Sequence, residues 1–173
     1  LIVATNENDI LQRVINTGEY KPDKVKPSLS PSMDIQVSSN FERLLFYILK
    51  KDDQKVSVLM KNLKDHGSFK LGNEELNEIK KDFKAEKISD SEILSIIKDV
   101  YDKEKIIIDP HTATAFGAIN KIGESKDTVV LGTAHPYKFL ETVKKATGEN
   151  IKVPYQLEKF IDKDEKFDII ENN

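Results

Sequence analysis

Apolar positions fall into two kinds of pattern along this chain. Three short runs, Leu1–Ala4, Ile106-Ile107-Ile108 and Val129-Val130-Leu131, each close on a polar residue and lead into a helix-like stretch. The stretches are Asp9–Thr17, Pro110–Asn120 and Pro136–Thr147. Strand followed by helix, repeated, predicts an α/β fold with a parallel sheet flanked by helices. A run as apolar as Leu1–Ala4 predicts a strand buried on both faces, with neighbours on both sides. On that ground further chain is expected upstream of Leu1.

The second pattern has helical period. Phe41, Leu44, Leu45 and Ile48 share a face at spacings of three and four, in a helix predicted to begin near Ser39-Asn40. Val56–Leu63 reads as a further helical piece, and Glu74–Phe83 as a charged helix. Ser89 and Glu92 stand three apart as a capping box, in which a hydroxyl serves an orphan amide and a carboxylate reaches back. Ile93, Ile96, Ile97 and Val100 follow on one stripe. Between the first strand and these helices, Lys21–Ser39 is rich in proline and serine, yet Met33, Ile35 and Val37 make it too apolar for a free linker. Apolar residues after Gly148 are too scattered to define an element.

Composition narrows the picture. The 173 residues carry 27 basic and 30 acidic side chains, interspersed, for a net charge of −3. That balance gives no electrostatic case for nucleic acid or an anionic membrane. No apolar run reaches the roughly 20 residues a membrane helix needs, so a cytoplasmic protein is the default expectation. Cysteine is absent, which excludes disulfides, thiolate metal sites and cysteine nucleophiles from this chain. His66, His111 and His135 are all its histidines, and no pair has a helical metal-ligand spacing, so no metal site is expected.

In a parallel α/β sheet, ligands bind beyond the carboxyl ends of the strands. That rule selects Thr5-Asn6, Asp109-Pro110-His111 and Gly132–Pro136. Asp109 is placed to cap a helix, with Pro110 at the first helical position, where its missing N–H costs nothing. The small residues of Thr112–Ala118 suit close approach to a neighbouring element or to a flat ligand. Thr133 offers one hydroxyl, either to a ligand or to the helix that follows. Gly67-Ser68-Phe69-Lys70 imitates the surroundings of a Schiff-base lysine, but it lies in what reads as an exposed turn, and Lys70 is expected at the surface.

Longer words then become specific. Ala4-Thr5-Asn6-Glu7-Asn8-Asp9-Ile10, Leu29–Ile35 running on to Ser39-Asn40-Phe41-Glu42-Arg43-Leu44, Asp109-Pro110-His111-Thr112-Ala113 and Leu131–Phe139 occur in that order. Together they resemble the threonine synthases over residues 4 to about 157. The resemblance implies part of a fold type II enzyme dependent on pyridoxal 5'-phosphate (PLP), with parallel strands flanked by helices. It implies the conversion of O-phospho-L-homoserine and water to L-threonine and phosphate, the cofactor serving as electron sink. Residues 1–157 would be a C-terminal portion of such an enzyme and 158–173 a charged tail.

Carried over residue by residue, the resemblance makes Thr133, Asp109 and Pro110 the cofactor-binding residues. Thr133 would partner the pyridine nitrogen, and a hydroxyl there would leave that nitrogen largely unprotonated. Asn6, Asp9, His111 and His135 are candidates for the pocket edge. Arg43 could hold a phosphate or sit in a surface ion pair. No residue of this chain is expected to be catalytic. The family's aldimine lysine stands well before the first of these words, so it and the loop that grips the cofactor phosphate are expected upstream of Leu1, in a missing N-terminal part of the same polypeptide. The stretch alone is expected to be inactive. A non-catalytic binding module of the same fold, or a related PLP phospholyase or dehydratase, would share these words. The whole reading requires the Gly132–Pro136 turn to stand beside the Asp109 helix start.

Overall fold

The computed structural model describes residues 1–123 and 127–171. Strand β1 (Ile2–Thr5) and strand β4 (Lys84–Lys87) pair in parallel, with Ile2 opposite Lys84 and Thr5 opposite Lys87. Strands β2 (Glu19–Tyr20) and β3 (Phe69–Lys70) form a separate antiparallel pair. Helix α1 (Ile10–Thr17) packs against both strand pairs and against α4 (Asn73–Asp82). Helices α2 (Phe41–Ile48) and α3 (Asp53–His66) complete this part. Ile10, Val14, Leu45, Ile79 and Phe69 are buried together at its centre. Tyr20 lies stacked between Phe41 and Phe69, at 5.5 and 4.9 Å between ring centres. Its hydroxyl accepts the Ser38 N–H at 2.8 Å, and burial raises its pKa above that of a free tyrosine, against that bond.

The second part is built from helices α5 (Asp90–Glu104), α6 (Pro110–Ile122) and α7 (Leu140–Thr147), the short α8 (Tyr155–Glu158) and a 3₁₀ turn at Pro136–Phe139. The Ser89–Glu92 capping box forms: Glu92 Oε2 accepts the Ser89 N–H at 2.7 Å, and Ser89 Oγ accepts the Glu92 N–H at 3.4 Å. Ile93 and Ile97 of its stripe are buried with Ile88 and Ala113. Helix α6 packs on β1, β4 and α5. Gly117 permits that approach: a Cβ there would meet Ile96 Cδ1 at 2.8 Å and Ile88 Cδ1 at 2.9 Å. No helix among the described residues is long and apolar enough to cross a membrane.

The architecture is α/β with parallel strands and flanking helices, as the pattern predicts, but the strands are not all the expected ones. Of the three runs only the first gives a strand, shifted by one residue to Ile2–Thr5, with Leu1 exposed. Ile106–Ile108 and Val129–Leu131 form no regular element and have no sheet partner among the described residues. Val129 is 83% exposed, Leu131 73% and Ile106 58%. The parallel neighbour of β1 is instead Lys-Ala-Glu-Lys at 84–87, where only Ala85 is buried. An apolar run reports a preference for burial, whereas pairing needs a second backbone at hydrogen-bonding distance, which no local pattern encodes.

Candidate functional site

The start of α6 is fixed by one carboxylate. Asp109 is buried, and its Oδ1 accepts the His111 N–H at 2.9 Å and the Thr112 N–H at 3.3 Å. The same oxygen lies 3.0 Å from His111 Nδ1, while Oδ2 accepts the Thr112 hydroxyl. Both oxygens are therefore engaged within the helix start, and Pro110 needs no partner for its missing N–H. Asp109 thus accepts hydrogen bonds on both oxygens in the service of local structure. It builds a rigid, small-residue corner in which Pro110 to Thr114 are all buried.

A second polar assembly approaches from the carboxyl end of β1. Asn6, fully buried, donates from Nδ2 to Ser28 Oγ and Asp34 Oδ1, both at 2.7 Å, and to Ser30 Oγ at 3.1 Å. Asn6 Oδ1 accepts the Asn8 N–H at 2.8 Å. Asn8 Nδ2 donates to Asp34 Oδ1 at 2.9 Å and to the Lys26 carbonyl at 2.8 Å. Asp34 Oδ2 takes the Ser28 N–H at 3.0 Å. These bonds close the proline- and serine-rich segment over the end of the strand. They explain why Lys21–Ser39 is ordered with only a 3₁₀ turn at Pro31–Met33, since its buried polar groups find partners in side chains. Asp9 extends the assembly: it receives Arg13 Nε at 2.8 Å and Lys87 Nζ at 3.1 Å. Burial pushes its pKa up, but the hydrogen bonds from Arg13 and Lys87 outweigh that, and the net shift is downward.

The third component is the turn at Gly132–Phe139. A Cβ at Gly132 would meet only Thr112 Oγ1, at 3.8 Å, so this turn does stand beside the α6 start. Thr133 is exposed, and no hydrogen bond engages its hydroxyl among the described residues. His135 Nδ1 accepts the Tyr137 N–H at 3.1 Å, which leaves the proton of the neutral ring on Nε2 at the exposed side chain. Phe139 lies 4.8 Å from the His111 ring. A cleft of about 390 Å³ runs between Ser28, Leu29 and Pro31 on one side and Lys138 and Phe139 on the other.

The structure thus brings together all three places that the strand-end rule selects, although the second and third are not strand ends. Asn6 is tied to the Ser28–Asp34 loop, Ser32 of that loop to His111, and His111 to Phe139. Arg43 is exposed on α2, beside a hollow it shares with Ser39 and Asp53, and Lys70 is exposed on β3. Sequence reasoning misses Asn8, Ser32, Asp34 and Phe139 as parts of this site. The Asn6-x-Asn8 spacing is the signal that could have revealed the first, because two amides one residue apart at a strand end suit loop capture. Ser32 contributes through its backbone N–H, which no side-chain pattern reports.

A sequence profile described as "Threonine synthase, C-terminal" matches residues 112–173. Over 99% of its length the chain is 39% identical to threonine synthase of Pseudomonas aeruginosa, of which it covers 37%. It is also 39% identical to threonine synthase of Saccharomyces cerevisiae, over 84% of this chain and 32% of that protein. Among solved structures, the PLP-bound threonine synthase of Brucella melitensis superposes with a TM-score of 0.90 at 38% identity, over 98% of this chain and 37% of that one. The chain therefore spans about a third of the length of the relatives it matches.

Proposed function

The chain belongs to the threonine synthase family, and from that premise we propose that it forms one wall of a PLP pocket in an enzyme that converts O-phospho-L-homoserine and water to L-threonine and phosphate. The observation that carries the proposal is the exposed Thr133 hydroxyl, without a partner among the described residues and one residue from the glycine that abuts the α6 start. An open hydroxyl beside a corner of small residues fits a flat heteroaromatic ring with one acceptor nitrogen. When bound, PLP supplies an electron sink for carbanions on the amino-acid carbons.

Each residue of the wall has a proposed part in that pocket. Thr133 gives the ring nitrogen one hydrogen bond and no charge. Pro110 and the small residues after it line the ring's edge, and Asp109 acts by holding that corner in place. Asn6 and Asp9 shape the pocket edge through the Ser28–Asp34 loop and the end of β4. His135 offers its exposed Nε2–H. The lysine and the phosphate-gripping loop belong to chain outside this stretch. The wall lies within residues 1–157, with 158–173 as a tail beyond it, and the enzyme works in the cytoplasm on a small-molecule substrate.

Purified full-length protein tests this. Given PLP, it is expected to release phosphate and form threonine from O-phosphohomoserine but not from O-phosphoserine. Thr133→Val should lose about tenfold in turnover, the worth of one hydrogen bond to the ring, and Thr133→Ser should retain most of it. Turnover of O-phosphoserine alone would move the reading to a related phospholyase. Wild-type activity in Thr133→Val would remove Thr133 from the pocket.

A further inference from the structure

His111 is a buried titratable side chain to which the proposed reaction gives no chemical step. Its surroundings define it closely. On one side stands the Asp109 carboxylate, 3.0 Å from Nδ1. On the other, the Ser32 backbone N–H points at Nε2 from 3.2 Å. A backbone N–H can only donate, so Nε2 carries no proton. An ionised carboxylate can only accept, so Nδ1 carries one. The two contacts together select one neutral tautomer, which satisfies both ring nitrogens. The ring also packs against Phe139 at 4.8 Å between ring centres.

Each partner belongs to a different segment. Asp109 begins α6, Ser32 lies in the Pro31–Met33 turn, and Phe139 ends the turn that follows Thr133. Pro31 and Phe139 are opposite sides of the 390 Å³ cleft. We infer that His111 is a positioning residue: its neutral imidazole ties the Ser32 turn and the Phe139 turn to the α6 start, and so sets both the width of the cleft between them and the place of the Thr133 turn. The Ser32 turn is held on its far side by Asp34 and Asn6, and beside the packing of Leu29 on the Ala113 cluster, His111 gives that clasped loop a hydrogen bond to the cofactor wall. The turnover arm of the test rests on the reading given under Proposed function; the structural arm does not.

The test uses full-length protein and two replacements that each imitate half of the ring. An asparagine amide reaches about as far as Nδ1 and a glutamine amide about as far as Nε2. His111→Asn can keep the Asp109 partner while leaving the Ser32 N–H unpaired; His111→Gln can still accept that N–H. Hydrogen exchange is followed at the Ser32 amide, with turnover of O-phosphohomoserine beside it. In His111→Asn, Ser32 exchange should rise about tenfold, as a lost hydrogen bond of ordinary strength implies. Turnover should fall about tenfold through misplacement of the wall. His111→Gln should keep Ser32 exchange within about threefold of wild type and restore only part of the turnover, because the ring contact with Phe139 is lost. Unchanged Ser32 exchange in His111→Asn overturns the inference, as does faster exchange with unaltered turnover. Should His111→Asn not fold, loss of Ser32 protection in a folded His111→Gln overturns it equally. If wild-type protein turns over nothing, the functional reading fails and the exchange measurement still decides the role of His111.

Discussion

The two parts of the molecule hold themselves together by different means. Around α1 to α4 the core is conventional: Leu45, Ile10, Val14 and Ile79 are fully buried, and an aromatic stack of Phe41, Tyr20 and Phe69 closes the space between the strand pair and the helices. Around α5 to α7 the buried cluster is small, Ile88, Ile93, Ile97 and Ala113. The buried face of α6 is made largely of threonine, histidine, glycine and alanine. Its order comes from a cap and a net of polar contacts, and in this chain Val129 and Leu131 are exposed. Hydrophobic area stabilises the first part, and polar geometry shapes the second. The candidate site lies on the second, where buried small side chains let the α6 start pack closely and fixed hydrogen bonds hold it in place.

The largest expected effect tests that division directly. Leu45→Ala removes a fully buried side chain from the first core and should cost about 3 kcal/mol in urea unfolding. In the 173-residue chain, Val129→Ser should stay within about 0.5 kcal/mol because the side chain is exposed there. Equal costs at the two positions would break the comparison.

A middle-sized effect sharpens it within the second part. Gly117→Ala adds a Cβ that would stand 2.8 Å from Ile96 Cδ1 and 2.9 Å from Ile88 Cδ1. Overpacking of this kind costs about 2 kcal/mol, and the better helix propensity of alanine returns up to about 1 kcal/mol. The net loss should be about 1 kcal/mol. Ile88→Val, which removes one of the opposing methyl groups, should relieve part of it in a double-mutant cycle. A stabilised Gly117→Ala would show that the contact between α6 and the Ile88 cluster is loose.

Much of this was legible in the sequence because local rules sufficed. The three- and four-residue spacing of Phe41, Leu44, Leu45 and Ile48 gives α2, Ser89 and Glu92 give the start of α5, and Asp109-Pro110 gives the start of α6. The illegible features are relations between distant segments. Lys84–Lys87 alternates charges around a single small residue, so only its pairing with Ile2–Thr5 marks it as a strand. The apolar runs at 106–108 and 129–131 have strand composition and lack a partner strand among the described residues. In the site, Asp109 and Thr133 were recognisable as words, and the Gly132 contact with Thr112 brings those words together. The clasp of Asn6 and Asn8 on Asp34 crosses more than twenty positions and leaves no periodic trace.

The smallest effect tests how α5 and α6 are fastened to each other within the second part. Glu92 closes the capping box of α5 and also meets Lys121 Nζ of α6 at 2.9 Å. The hydrogen bond from Lys121, with that from the Ser89 backbone, lowers its pKa from 4.5 to about 2. A carboxylate held below its unfolded value contributes stability that is fully present above the unfolded pKa and is lost as pH falls through the folded one. Glu92→Gln keeps an acceptor for the Ser89 N–H and removes only the charge. Because the two side chains are 40% and 38% exposed, solvent screening leaves about 0.5 kcal/mol of the pair. The difference between wild type and variant should therefore be largest above about pH 4.5 and shrink towards zero near pH 2. It should also fade in about 1 M salt, where the screening length is short. A difference that persists unchanged at low pH and high salt would mean that packing, and not charge, fastens α5 to α6, and the second part would then resemble the first.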